Sequence, residues 1–126
     1  MIEWQKLKEA AIAVRKNAWA PYSKFRVGAA LSVADGSIFT GCNVENVSYP
    51  VGMCAERSAV AAMVAAGYQT PNALVIAAGP LITPCGMCRQ ALAEFAADLP
   101  VLLVSVDSGE QQETQLATLL PSVFSF

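Results

Sequence analysis

Three cysteines in this chain have the residue type and the spacing of metal ligands. Cys85 and Cys88 form a Cys-x-x-Cys pair, Cys54 stands alone earlier in the sequence, and the chain contains no histidine. Glu56 follows Cys54 by two residues. Zinc takes four ligands, and a catalytic zinc site uses three protein side chains and leaves one position open. The pattern predicts such an open zinc site, with Glu56 as a carboxylate beside it.

Two other interpretations of the cysteines stay open at this point. A Cys-x-x-Cys pair also suits redox chemistry. Cys42 could be a fourth ligand, which would close the site and make the chain a non-catalytic module with structural zinc. Cys42 lies in an apolar stretch, however, and cysteine is among the residues most often buried in a core. The open, catalytic site is therefore the preferred interpretation.

Segments with helix and strand periodicity alternate along the chain. Apolar residues at steps of three and four predict an amino-terminal helix that stops before Pro21, and Asp35-Gly36 predicts a tight turn between two antiparallel strands. This alternation predicts the α/β class: a three-layer α/β/α sandwich around a mixed sheet of about five strands, in one domain over residues 1–126. The predicted helices are 4–18, 54–66, 85–97 and a helical turn at 116–120, and the predicted strands are 26–33, 37–43, 74–78, 101–106 and a weak strand at 111–114.

The three cysteines fall at the amino-terminal ends of two predicted helices. The unpaired N–H groups and the helix dipole favour an anion there, so thiols ionise more readily and become better zinc ligands. Cys85 and Cys88 are one helical turn apart, which places their sulfurs on the same face. Both can therefore reach one ion.

The composition favours a small substrate and an oligomer. Apolar residues make up 55% of the chain, which is high for an ordinary globular domain. We therefore expect part of the apolar surface to be buried between the subunits of an oligomer. The net charge is −2, whereas binding to a nucleic-acid polymer depends on clustered Lys and Arg. We therefore expect no nucleic-acid partner.

The sequence also lacks the marks of export or membrane insertion. Residues 1–6 contain no basic stretch followed by an apolar run, and no apolar run approaches the roughly 18 residues of a membrane span. We expect no membrane partner and a cytoplasmic protein with reduced thiols, for which metal binding is more usual than a disulfide framework.

Several motifs resemble one known family. Cys54-Ala55-Glu56 and Pro84-Cys85-Gly86-Met87-Cys88 match the signature of zinc deaminases, in which the Glu carries protons and does not bind the metal. Residues 21–31, 41–46, 54–57 and 119–121 closely resemble the small cytidine deaminases that hold zinc by three cysteines and act on free nucleosides. The resemblance runs from about residue 4 to the carboxyl terminus.

The resemblance implies an activity and an assembly. The activity is hydrolytic deamination of cytidine and deoxycytidine to uridine and deoxyuridine with release of ammonia, in pyrimidine salvage. Each subunit of an expected homotetramer would bind one Zn²⁺, and Glu56 would carry protons from the activated water to N3 of the base and to the departing amino group. The alternative within the same fold is a deaminase of another amino-heterocycle, such as blasticidin S.

The resemblance also implies roles for residues around the zinc. Three thiolates leave the site with a formal charge of −1, which the guanidinium of Arg57 would offset by hydrogen bonds to sulfur, with Gln90 as a second partner of the thiolates. A solvated helix arginine is the alternative for Arg57. The other expected site residues are Phe25 against the pyrimidine, Ala55 as a further substrate contact, Asn43 and Glu45 at the sugar hydroxyls, and Tyr49 and Phe124 reaching into a neighbouring subunit's site.

Three of these substrate contacts have plainer alternatives. Asn43 and Glu45 alternate across Val44, so in an extended segment their side chains point the same way. A turn-forming Asn and a solvated Glu would have the same sequence, and Phe25 equally suits the core of a strand. The polar stretch Ser105–Gln115 is shorter than expected of the family, which leaves the fifth strand uncertain.

Overall fold

A mixed sheet of five strands runs through the middle of the protein. The computed structural model describes residues 1–126. The strands are β1 (Gly28–Val33), β2 (Ile38–Cys42), β3 (Pro71–Ala78), β4 (Pro100–Ser105) and β5 (Gln111–Gln115), in the spatial order β2-β1-β3-β4-β5. The β3 and β4 strands are parallel, and the other neighbours are antiparallel.

Helices cover both faces of this sheet. They are α1 (Trp4–Arg15), α2 (Ala55–Ala65), α3 (Gly86–Ala93) and the single turn α4 (Leu116–Leu119). Helix α1 packs on one face through Leu7 and Ala11, and α2, α3 and α4 contribute to a larger apolar core on the other face. This arrangement confirms the predicted three-layer α/β/α sandwich. None of the helices has the length and apolar character needed to cross a membrane.

The central strands are buried on both faces, as their continuous apolar runs predict. Every residue of β1 is buried, and so is every residue of β4 after Pro100. The edge strand β5 is polar and mostly exposed, but it pairs with β4 from Gln111 to Gln115. The fifth strand is therefore present, because backbone hydrogen bonds form the ladder whatever the polarity of the side chains.

Two predicted helices are too long. Helix α1 ends at Arg15 and does not reach Ala18, because the chain turns away toward residues 43–45. There the N–H of Trp19 donates to the carbonyl of Asn43, and the carbonyl of Trp19 accepts from the N–H of Glu45. Helix α3 ends at Ala93, four residues before the predicted Ala97. Alanine favours a helix there, but this preference is weak compared with tertiary packing.

Two glycines let helices approach the sheet closely. A β-carbon on Gly28 would lie 2.1 Å from the carbonyl oxygen of Ala11 in α1, and one on Gly41 would lie 2.3 Å from the nitrogen of Ala59 in α2. Only glycine fits such backbone-to-backbone contacts. The glycine in β2 thus sets how closely α2, which begins directly after Cys54, lies against the sheet.

Candidate active site

The structure brings the three predicted sulfurs together. Cys54 and Cys85 immediately precede α2 and α3 at the helix N-caps, and Cys88 lies one turn into α3. The three Sγ atoms lie within 4.8 Å of one another, and those of Cys54 and Cys85 are 3.9 Å apart. Two sulfurs of a tetrahedral zinc site with bonds of about 2.3 Å are about 3.8 Å apart. The group fits one zinc ion after small movements of the side chains.

The thiols of Cys54 and Cys88 oppose each other's ionisation. The contact with Cys88, more than the neighbouring Arg57 guanidinium and Cys85, lowers the pKa of Cys54 to about 5. The same contact and burial raise the pKa of Cys88, since a second thiolate beside the first is unfavourable. A divalent cation between the sulfurs would remove this penalty, so the donor set suits a metal.

The guanidinium of Arg57 lies beside two of these thiols. Its contacts with Cys54 and Cys88 favour its charged form. Its Nη2 donates to the carbonyl of Gly52 at 3.5 Å, and its buried Nε–H has no oxygen or nitrogen partner. A positive, partly unsatisfied donor next to sulfur is the arrangement that can offset the charge of a three-thiolate zinc. The alternative of a freely solvated arginine does not fit this position.

Glu56 is a buried carboxyl group on the first turn of α2. It is 4% exposed, and burial raises its pKa to about 7. A carboxyl group with a pKa near neutrality can both accept and donate a proton under ordinary conditions. The site thus places a carboxyl group that can take up or release a proton next to thiols that can hold a metal ion.

Cys54, Cys85 and Glu56 line a cavity of about 670 Å³. This volume is in the range of small-molecule sites, roughly 300 to 1,000 Å³. Its walls are mostly apolar, with a few polar side chains. The predicted site residues that line it are Phe25, Asn43, Glu45, Tyr49, Ala55 and Arg57.

Asn43 holds the segment that carries Phe25. Its Oδ1 accepts from the N–H of Val27 and its Nδ2 donates to the carbonyl of Phe25, both at 2.8 Å. An amide has two donor hydrogens and two acceptor lone pairs. One N–H and one lone pair of Asn43 remain for a molecule in the cavity.

Glu45 is anchored to the same neighbouring segment. Its carboxylate accepts from the N–H groups of Tyr22 at 2.9 Å and Ser23 at 3.1 Å, and from the Ser23 hydroxyl. These hydrogen bonds, above all that of the Ser23 hydroxyl, lower the pKa of Glu45. The side chains of Asn43 and Glu45 therefore lie on the same side of their segment, as the alternation predicts, and Glu45 presents a negative charge to the cavity wall.

Phe25 and Tyr49 lie at the edge of the cavity and not in the core. Phe25 precedes β1 and is 39% exposed, which disagrees with the alternative of a strand core residue. Tyr49, in a short 3-10 turn over Tyr49–Val51, is 78% exposed and lines the cavity of its own chain.

Gln90 does not contact the thiols in this structure. Its side-chain amide donates to the carbonyl of Phe124 at 3.4 Å, so the expected hydrogen bond to a zinc thiolate is absent. The reason is its place on α3, two residues beyond Cys88, where it is exposed. Phe124 is exposed as well and lies outside the cavity wall of its own chain.

Cys42 is not part of the metal group. It is half-buried at the end of β2, and the sulfurs that lie together are those of Cys54, Cys85 and Cys88 alone. The alternative of a closed, four-thiolate structural site is therefore wrong for this arrangement. The cluster therefore offers three sulfur donors for a metal ion.

Sequence reasoning missed Ser23 and Met87, which also line the cavity. A serine after Pro21-Tyr22 signals a turn, and its hydroxyl does accept from the N–H of Phe25 at 3.0 Å. That local signal does not reveal Glu45 as the partner of the same hydroxyl. Met87 is simply the exposed residue between the two cysteines of α3.

Comparison with known proteins agrees with this geometry. The family model of the cytidine and deoxycytidylate deaminase zinc-binding region matches residues 1–103. A cytidine deaminase from Sporosarcina psychrophila is 45% identical over 125 residues, which cover 96% of this chain and 90% of that protein. The crystal structure of a cytidine deaminase from Burkholderia pseudomallei, 43% identical, superposes with a TM-score of 0.92 and covers 98% of this chain and 100% of that one.

A more distant relative represents the other substrate considered above. A blasticidin-S deaminase from Bacillus cereus is 28% identical over 109 residues, which cover 79% of this chain and 76% of that protein. The matched zinc-binding region includes Cys54, Glu56, Cys85 and Cys88. The chain is a zinc-binding member of the cytidine and deoxycytidylate deaminase family.

Proposed function

We propose that this protein hydrolyses cytidine and deoxycytidine to uridine and deoxyuridine and releases ammonia. The observation that carries the proposal is the cluster of three thiols next to the buried carboxyl group of Glu56, with Cys54, Cys85 and Glu56 lining one cavity. That combination supplies a metal site with an open position and a proton carrier beside it. The 45% identity to a cytidine deaminase supports the choice of substrate.

The residues divide the chemistry between them. Cys54, Cys85 and Cys88 hold the zinc, which when bound acts as a Lewis acid that makes water a better nucleophile at neutral pH. Glu56 would take a proton from the attacking water and donate it to N3 as the water oxygen bonds to C4; it would then move the remaining hydroxyl proton to the amino group, which leaves as ammonia while C4 becomes a carbonyl. Arg57 offsets the negative charge of the thiolates.

The other polar groups of the cavity suit a nucleoside. Asn43 retains one N–H and one lone pair, and Glu45 presents an ionised carboxylate. Sugar hydroxyls both donate and accept hydrogen bonds, so these two side chains complement a ribose or deoxyribose. Phe25 offers an aromatic face to the pyrimidine, and Ala55 is small enough to leave room for the base at the start of α2.

A homotetramer would complete the site. Tyr49 and Phe124 are 78% and 69% exposed, although aromatic side chains of this size usually gain by burial. Val47 and Val51, two residues before and after Tyr49 in sequence, are also exposed, so Tyr49 belongs to an exposed apolar segment next to the cavity. Such a surface is typical of a contact between subunits. In the proposed tetramer, Tyr49 and Phe124 reach the site of a neighbouring subunit.

The proposed biological setting is pyrimidine salvage in the cytoplasm by a one-domain enzyme. Free nucleosides are the substrates that salvage recovers. Zinc binding needs all three thiols reduced, and reduced thiols persist in the cytoplasm.

The test follows the ultraviolet absorbance of cytidine with the purified protein. We expect the absorbance to fall and ammonia to appear, the activity to disappear after removal of zinc with a strong chelator, and zinc to restore it. Deoxycytidine should react as well, and free cytosine, which lacks the sugar, should react poorly. No turnover of either nucleoside by the zinc-loaded protein would contradict the proposal, and turnover of blasticidin S alone would favour the other deaminase.

A further inference from the structure

Arg89, the residue after Cys88, makes an unusual set of hydrogen bonds. Its Nε donates to the carbonyl of Pro84 at 2.7 Å, its Nη1 to the carbonyl of Leu119 at 2.6 Å, and its Nη2 to Oγ1 of Thr83 at 3.1 Å. All three guanidinium nitrogens are thus occupied, and no carboxylate is among the partners. A half-buried arginine that is used in this way fixes backbone geometry and does not form an ion pair.

Cys85 needs such support more than the other two thiols. Cys88 is buried and Cys54 is half-buried, whereas Cys85 is exposed. A packed environment restricts the rotamer and position of a buried side chain, but an exposed one has few neighbours to hold it. The position of the Cys85 sulfur therefore depends mainly on the backbone that carries it.

Arg89 holds that backbone on both sides of Cys85. Its side chain binds the carbonyl of Pro84, which belongs to the peptide group before Cys85. Its own N–H donates at 3.0 Å to the carbonyl of Cys85, which belongs to the peptide group after it. Fixing these two peptide planes fixes φ and ψ of Cys85, and with them the direction of its Cα–Cβ bond.

The guanidinium of Arg89 also connects residues 83–85, which precede α3, to the carboxyl-terminal segment. Leu119 is the last residue of α4, and its carbonyl is one of those that a helix end leaves without an intrahelical partner. The next residue of α3, Gln90, binds the carbonyl of Phe124. The end of the chain is therefore attached to the helix that carries two of the three thiols.

We propose that Arg89 is a positioning residue for the metal site: it holds Cys85 in the geometry that binds zinc and ties this geometry to the carboxyl-terminal segment. The proposal deepens the proposed function, because it rests on the zinc site, but it can be tested without substrate. Arg89 reaches the metal only through the backbone of Cys85, so its role is distinct from that of Arg57, which lies against the sulfurs.

The test compares zinc release from the wild type and Arg89→Lys into a chromophoric chelator. Lysine keeps the positive charge but has one nitrogen, so it cannot bind Pro84, Leu119 and Thr83 together. We expect zinc release about 10- to 100-fold faster, as for other residues that orient metal ligands. The matched control is Arg15→Lys, since Arg15 also donates from Nε to a carbonyl, that of Arg26, at 3.0 Å but away from the thiols. It should release zinc at the wild-type rate.

A second measurement separates positioning from general stability. Zinc raises the melting temperature by an amount that grows with the logarithm of its affinity for the folded state. We expect Arg89→Lys to reduce the difference in melting temperature between zinc-loaded and zinc-free protein. An equal fall of both melting temperatures, with unchanged zinc release, would overturn the proposal.

If Arg89→Lys does not fold, the same measurements are made on Thr83→Val, which removes one of the three hydrogen-bond acceptors of the Arg89 guanidinium. We expect a smaller but measurable acceleration of zinc release, and a wild-type rate would overturn the proposal. Neither result depends on deamination. A variant series that behaves as expected in a protein inactive on cytidine would refute the proposed substrate and leave the role of Arg89 intact.

Discussion

Gly41 and Ala59 bring strand β2 and helix α2 into direct backbone contact. A β-carbon on Gly41 would lie 2.3 Å from the nitrogen of Ala59 and 2.5 Å from the carbonyl oxygen of Ala55. Because α2 begins directly after Cys54 and carries Glu56 on its first turn, this contact sets how far the Cys54 thiol and the Glu56 carboxyl group lie from the sheet.

Gly41→Ala should therefore disturb both stability and metal binding. The added methyl group meets backbone atoms that cannot rotate away, so α2 must shift, at a cost of about 1–3 kcal/mol or more. Thermal unfolding and the zinc-release rate measure the two effects. Gly86→Ala is the control for stability, since a β-carbon at Gly86 would have no neighbour within 4 Å. An unchanged melting temperature for Gly41→Ala would contradict this account of the packing.

Cys42→Ala should retain zinc and activity. The Cys42 sulfur lies outside the group formed by Cys54, Cys85 and Cys88. Cys85→Ala, in contrast, removes a ligand and should lose the metal. Zinc content per chain, measured after dialysis, distinguishes the two variants. Loss of zinc from Cys42→Ala would restore the closed structural site as an explanation.

The parts of the site that were predictable depend on short-range spacing. Cys85 and Cys88 are one helical turn apart, and Glu56 and Arg57 follow Cys54 directly, so helix geometry places them without knowledge of the rest of the fold. The contact at Gly41 and the support of Cys85 by Arg89 depend on elements distant in sequence. No local pattern distinguishes these residues from an ordinary glycine in a strand or arginine on a helix.

The errors have the same origin. The alanines after Ala93 favour a helix, yet α3 stops there, where the N–H groups of Phe95 and Ala96 both donate to the carbonyl of Leu92 in a tight turn. Gln90 lies two residues beyond Cys88, and residues at that spacing do not share a face of a helix. Its side chain instead reaches Phe124, whose position the sequence alone does not reveal.

Glu56→Gln should abolish turnover and leave zinc bound. Glutamine has nearly the same shape but cannot accept and return a proton, and general acid–base catalysis contributes about 10²- to 10⁴-fold. Steady-state rates and zinc content are measured on the same preparation. Glu94→Gln, an exchange directly after α3 and outside the cavity wall, is the control and should retain the wild-type rate. Undiminished activity of Glu56→Gln would exclude Glu56 as the proton carrier.

Arg57→Gln should slow catalysis by about 10- to 100-fold with the metal still present. Without the guanidinium, the thiolates keep more negative charge and the zinc becomes a weaker Lewis acid. In the zinc-free protein the pKa of Cys54 should rise above its value of about 5, because the contact and charge of Arg57 contribute to lowering it. The ultraviolet absorbance of the thiolate, followed as a function of pH, measures this shift. If the rate and the thiol titration both match the wild type, Arg57 has no influence on the metal.

Tyr68→Phe should lower stability in a pH-dependent way. The Tyr68 hydroxyl donates to Oδ2 of Asp35 at 2.6 Å, and this bond, more than the one from the N–H of Ser37, lowers the pKa of Asp35. A carboxylate with a lower pKa in the folded state stabilises it above the unfolded value, about 4, and loses that contribution as the pH falls through the folded value. The phenylalanine ring retains the contact with Phe39, whose centroid is 5.2 Å away.

The measurement is a double-mutant cycle of Tyr68→Phe and Asp35→Asn by urea unfolding of the zinc-free proteins. Using zinc-free protein keeps acid release of the metal out of the comparison. We expect a favourable coupling between the two side chains at about pH 7 that falls away at low pH, once the pH is below the lowered pKa of folded Asp35 and the carboxyl group is protonated in both states. A coupling of the same size at both pH values would show that the hydrogen bond does not depend on the charge of Asp35, and would contradict the lowered pKa as its cause.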